Sequence, residues 1–181
     1  MSIAQRDLDQ QKGTNARVLA HLLRPENNSY MVTHNNGERR STLDFLSMVA
    51  TQEPEISVLL DVGAQILDFS NLEVAKAWLN IARDTAGAVY FDDNDELMVL
   101  TRNGIVQPML SSSLSQQLHR CVVYLDHAHT RGTDLKLPIG SRAAVLLGPK
   151  LTKDSLVQGS FLFRDFIAKF HSVVSRLHAN A

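Results

Sequence analysis

Asp126-His127-Ala128-His129-Thr130-Arg131-Gly132-Thr133-Asp134 brings carboxylates, imidazoles and a guanidinium together in one short stretch. It follows directly on the apolar run Cys121 to Leu125, so the spacing predicts a segment leaving the C-terminal end of a buried strand, where open α/β sheets place ligands. A carboxylate there, Asp126, can hold magnesium through water, and an Arg131-Gly132-Thr133-Asp134 turn can bring backbone N–H groups and a guanidinium to phosphate. The same residues have a local use: Asp126 and Asp134 cap neighbouring backbone N–H groups, and Gly132 supplies an unusual φ. Spacing leaves both uses open. Asp61, at the end of the apolar run Ile56 to Leu60, is a second strand-end carboxylate.

Nucleophilic chemistry has one thiol to draw on, Cys121, the single cysteine of the chain. A thiol hydrolase needs a histidine within hydrogen-bond reach of the sulfur. Along one extended strand at ~3.3 Å per residue, Cys121 and His127 lie on the order of 20 Å apart, so a base would have to come from elsewhere, such as His119, His34 or His171. The plainer reading of Cys121 is a small core residue opening a buried strand. If strand geometry persists through His127 and His129, they project to one side, and Asp126 and Asp134 could complete a mixed nitrogen and oxygen donor set. Such spacing is common in surface loops, and neither a metal nor another cofactor is expected. The acidic stretch Asp92, Asp93, Asp95, Glu96 reads as a solvated turn, because metal loops need a more regular ligand spacing.

The elements that must position these groups follow from periodicity. Val18, Leu19, Leu22 and Leu23 make a helical stripe stopped by Pro25, and Tyr30 to Thr33 read as a short strand ending at Asn36-Gly37. Ser41 with Asp44, and Ser70 with Glu73, open two helices, the second carrying Val74, Ala75, Trp78, Leu79 and Ala82 on one face. Strands are expected at Ile56 to Leu60, Ala88 to Phe91 and Leu97 to Leu100, the last turning through Asn103-Gly104 to Ile105 and Val106 as a hairpin. A short helix around Leu114 to Leu118, the strand Cys121 to Leu125, the strand Ala143 to Leu147 and a helix from Thr152 complete the order. This alternation predicts an α/β fold with a mainly parallel sheet flanked by helices and an added antiparallel hairpin.

With 181 residues, 44% of them hydrophobic, the chain can bury one sizeable core. Residues 1–15 are polar and expected to be loosely ordered, 16–158 form the α/β domain, and 159–181 form a C-terminal amphipathic helix. A net charge of -1 with mixed signs gives no footprint for nucleic acid or an anionic membrane. No apolar run approaches the ~18 residues of a membrane span, the N-terminus lacks a signal-peptide core, and one cysteine suits a reducing compartment, so a cytoplasmic protein is expected. The apolar face of the last segment, Phe161, Leu162, Phe163, Phe166, Ile167, Phe170, Val173, Val174 and Leu177, either docks on the domain or pairs with a partner chain.

The stretch Leu125-Asp126-His127-Ala128-His129-Thr130-Arg131-Gly132-Thr133-Asp134-Leu135-Lys136-Leu137-Pro138 resembles a signature of very large fungal ubiquitinyl hydrolases. Leu59 to Leu67, Asn71 to Leu79 and Leu151 to Gln158 extend the resemblance over most of the chain from about Arg17. The resemblance implies a cysteine-type deubiquitinase acting in ubiquitin-dependent proteolysis, with ubiquitin or a ubiquitinated protein as partner, and casts this chain as a fragment or degenerate paralogue. The Asp-x-Ala-His box also resembles the DEAH element of helicases, and Arg131 to Asp134 resembles a loop in the second lobe of the bacterial preprotein-translocase motor. That analogy implies a RecA-like, helicase-lobe-like fold, and Gln158, where the resembling segment ends, is grouped with the anion-facing loop residues. Two departures bear on activity. His127 stands where the box most often carries glutamate, and the segment after Gln158 lacks the usual Met-Arg run, leaving Arg164. No G-x-x-x-x-G-K-[ST] loop is present, so a nucleotide's terminal phosphates would need a cradle from another chain. The alternatives to a hydrolase are a nucleotide-responsive lobe without its own P-loop and a noncatalytic interaction module.

Overall fold

A computed structural model of the chain describes residues 20, 34–35, 38–131, 133, 135–138 and 140–148. The expected helix around Val18 to Leu23, the strand Tyr30 to Thr33, the helix from Thr152 and the C-terminal amphipathic helix lie outside the described residues. At the start, β1 (His34–Asn35) pairs antiparallel with β2 (Glu38–Arg39).

The main sheet has six strands. β3 (Val58–Leu60), β4 (Gly87–Phe91), β7 (Cys121–Leu125) and β8 (Ala143–Val145) run parallel in the order β4-β7-β3-β8, and β5 (Leu97–Thr101) and β6 (Val106–Pro108) extend it antiparallel beyond β4. Continuous apolar runs make the central strands because both faces are covered. Alternate side chains serve the two sides. Val122 and Tyr124 of β7, Leu59 of β3, and Ala88 and Tyr90 of β4 face one core, whereas Cys121, Val123, Leu125, Val58, Leu60 and Val89 face the other.

Two helices fill the first core. α1 (Thr42–Ala50) contributes Phe45, Leu46 and Val49, and α2 (Asn71–Ile81) contributes Val74, Ala75, Leu79 and the fully buried Trp78. Serine caps start both. The Ser70 hydroxyl accepts from the Glu73 N–H while the Glu73 carboxylate accepts from the Ser70 N–H, a reciprocal capping box. The Ser70 N–H, and then the Ser70 hydroxyl, donate to that carboxylate at 2.8 Å and hold the Glu73 carboxyl below its ordinary range. At Ser41 one half forms: its hydroxyl accepts from the Asp44 N–H and donates to the Asp44 carboxylate at 2.8 Å. Arg102 closes α2 from the neighbouring hairpin, donating to the carbonyls of Leu79 at 2.7 Å, Ala82 at 2.5 Å and Thr85 at 2.8 Å.

The second core is roofed by Met109, Leu114, Leu135 and Leu137. Here the expected helix around Leu114 to Leu118 is corrected to three successive 3-10 turns, Met109–Ser111, Ser113–Gln116 and Leu118–Arg120. Serine is the cause: the Ser112 side chain accepts from the Leu114 N–H and offers the backbone an alternative to an α-helical ladder. The strand expected over Ile56 to Leu60 shortens to β3, Ile56 being buried ahead of the first ladder pair. No helix among the described residues is long and apolar enough to cross a membrane.

Candidate functional site

Register decides what meets at the C-terminal edge of the sheet. Because Leu60 pairs with Leu125, the residues that follow, Asp61 and Asp126, emerge side by side. Asp61 is buried, and its two carboxylate oxygens accept from the Gln65 N–H at 2.7 Å and the Ile66 N–H at 2.8 Å, folding the loop after β3 back on itself. Asp126 is partly buried and draws in side chains. Its Oδ2 accepts from Asn71 Nδ2 at 3.0 Å, and its Oδ1 accepts from the His129 N–H at 3.1 Å and lies 2.5 Å from His129 Nδ1. Asn71, the first residue of α2, also donates to the Phe91 carbonyl at 2.9 Å, so one amide ties the helix start to the ends of β4 and β7.

Strand geometry stops at Leu125. Thr130 and His129 donate their N–H groups to the Asp126 carbonyl, curling the chain into a turn. The expectation that His127 and His129 project together from one extended edge is therefore corrected: the turn sends the rings to different partners. His127 Nδ1 lies 2.7 Å from the Val62 carbonyl, which can only accept, so this nitrogen carries the proton. Its Nε2 then takes the Arg131 guanidinium at 3.2 Å. His129 stacks on Phe91, ring centroids 4.0 Å apart and 4° from parallel, and reaches Asp95 Oδ1 with Nε2 at 3.0 Å.

Thr133 anchors the following stretch by donating to the His129 carbonyl at 2.5 Å. Gly132, Asp134 and Gln158 lie outside the described residues, as does His171. Among the described residues no group of three or more His, Cys, Asp or Glu side chains is arranged to hold a metal ion.

Cys121 sits at the far end of β7 from Asp126. It is buried, its thiol donates to the Gln117 carbonyl at 3.9 Å, and no described histidine bonds it. Burial pushes the thiol up to about 11, the positive charge of Arg120 opposing that shift. This is the environment of an inert core thiol. Tyr124, on β7 two residues before Asp126, has its phenol driven far above the ordinary range by burial and then by the charges of Asp61 and Asp126.

Asn71 and Phe91 join the site without having been singled out, and Asp95 joins it from the acidic stretch read as a solvated turn. Asn71 directly follows a capping serine, a position at the open end of its helix. Asp95 lies in an acidic turn and adopts φ 59°, a left-handed conformation that aspartate tolerates better than most residues. Nothing in the sequence marks Phe91 as a platform for a histidine 38 positions away.

The fold and the edge cluster define a mixed α/β domain with a carboxylate and histidine site at the ends of parallel strands. No protein-family model, curated protein or solved structure matches the chain.

Proposed function

We propose that this chain is a noncatalytic α/β lobe on a RecA-like plan, serving ubiquitin-dependent proteolysis in the cytoplasm and engaging ubiquitin or a ubiquitinated protein through the C-terminal edge of its sheet. The observation that carries the reading is the separation of Cys121, at the start of β7, from His127 and His129, combined with the gathering of Asp126, His127, His129 and Arg131 beyond the opposite end of that strand. A thiol raised to about 11 and bonded to a main-chain carbonyl has no activated form at neutral pH. The resemblance to the fungal ubiquitinyl hydrolases suggests the pathway, and the exposure of Arg131 and His127 at the edge supports a reading of recognition rather than bond cleavage.

Two measurements on the whole chain test this. A ubiquitin-fluorophore substrate should stay uncleaved, with wild type and Cys121→Ala indistinguishable, while immobilised ubiquitin chains should retain the protein and release it on Arg131→Glu. Cleavage that disappears in Cys121→Ala would overturn the noncatalytic role, and failure of ubiquitin chains to bind would remove the partner. A second reading, a nucleotide-responsive helicase-like lobe, is favoured by one feature: Asp126 ends a parallel strand, where such lobes bind a hydrated magnesium. It predicts thermal stabilisation by ATP with magnesium, and an unchanged melting temperature would dispose of it.

A further inference from the structure

His129 stands between two carboxylates that belong to different parts of the fold. Its Nδ1 faces Asp126 at the end of β7, and its Nε2 faces Asp95 in the turn joining β4 to β5. Stacking on Phe91 fixes the plane of the ring and leaves both nitrogens at its edges. The histidine side chain is 14% exposed and Asp126 26%, while Asp95 stands 84% in solvent.

Ionised carboxylates accept only, and a neutral imidazole has one N–H to donate. The two bonds coexist only while two protons are shared among the three groups. When one is lost, a nitrogen lone pair is left facing a carboxylate oxygen, and one contact must open. Asp126 is additionally held by Asn71 and by the His129 N–H, whereas Asp95 is exposed, so the Asp95 contact is the one to yield. Among the described residues the other charged groups nearby are engaged elsewhere or face solvent: Asp61 accepts from the Gln65 and Ile66 N–H groups, Asp92 accepts from the Asn94 and Glu96 N–H groups of its own turn, Arg131 faces His127, and Asp93 and Glu96 are exposed.

We propose that His129 is a proton-controlled clasp, fastening the β4–β5 turn to the C-terminal edge of the sheet and releasing it when the three-group set gives up one proton. After release the turn loses its tether beside Asp126 and rests on its internal bonds to Asp92, so its N–H groups open to solvent more often. What changes is its attachment beside Asp126. The clasp does not depend on whether ubiquitin or a nucleotide is the ligand.

The test pairs two readouts across a pH series on the whole chain. Ring ¹⁵N shifts, with the His129 signal identified by its loss in H129Q, report how many protons the imidazole carries. Amide exchange at residues 93–97, corrected for the intrinsic pH dependence of exchange, reports attachment of the turn. Protection should fall about two- to fivefold, the range for an exposed charge pair, in step with the ring passing from two protons to one. D95N separates the clasp from ordinary loop behaviour, since an amide can accept from a protonated Nε2 or donate to a bare one; the variant should keep the turn protected and lose the pH step. Full protection with a singly protonated ring, or an unchanged pH course in D95N, would overturn the proposal.

Discussion

Alkylation of Cys121 puts the noncatalytic reading at risk in a single experiment. Iodoacetamide reacts with thiolate, so the rate follows the ionised fraction and access to the sulfur. A free thiol titrating near ~8.5 is about one quarter ionised at pH 8. Cys121, pushed up to about 11 by burial, is ionised to about one part in a thousand at the same pH. Ionisation alone therefore slows native labelling on the order of 200-fold relative to the unfolded chain, and because the residue is only 2% exposed the true ratio is larger. The direction of the shift also fixes the pH profile: an elevated thiol stays protonated through the neutral range, so native labelling should climb about tenfold per pH unit from 8 to 10 without levelling off. Timed quenching followed by intact-mass analysis, in buffer and in denaturant, gives both numbers. A native rate within about tenfold of the unfolded one, or a plateau below pH 8, would mean an accessible, activated thiol and would refute the reasoning.

Three substitutions probe the frame that holds the site. A Cβ on Gly63 would lie 2.0 Å from the Gly148 nitrogen, where only main chain could give way, so Gly63→Ala should lose about 2–3 kcal/mol in urea unfolding. Arg102→Ala frees the carbonyls that close α2 and should cost about 1–2 kcal/mol, with Arg102→Lys recovering less than half because one ammonium cannot span the fork. Ser70→Ala removes the reciprocal cap and should lower stability by about 1 kcal/mol, read as a lower melting temperature with faster amide exchange in the first turn of α2.

Local rules made the scaffold legible. Serine followed three residues later by an acidic residue marked both helix starts, and continuous apolar runs marked β3, β4 and β7, because burial on both faces removes the polar alternation an exposed strand would show. Asn103-Gly104 marked the hairpin between β5 and β6, with Gly104 at φ 82°. The mixed sheet was thus readable in kind. The 3-10 turns over 109–120 were not, since the choice between i+3 and i+4 bonding there depends on serine side chains competing for backbone N–H groups. Asp126 was legible from its place after an apolar run. Its partners were not, because Asn71 lies 55 residues away and Asp95 lies 34 from His129, and register alone brings them together.

Register also decides which carboxylate at this edge can be exchanged. Asp61 and Asp126 emerge from paired strands, and two such charges near a low-dielectric core would repel unless each were compensated. The fold compensates them differently. Asp61 is bonded by main-chain N–H groups of its own loop, so freeing it means unfolding residues 61–66. Asp126 is bonded chiefly by the side chains of Asn71 and His129, which can turn away by rotation about single bonds while the backbone stays in place. A ligand arriving at the edge therefore competes for Asp126 against rotamers, and for Asp61 against the loop itself. On the proposed recognition role, the suited strand-end carboxylate is the one whose partner ring also contacts Asp95, and the proposed clasp would join access to Asp126 to the state of the β4–β5 turn.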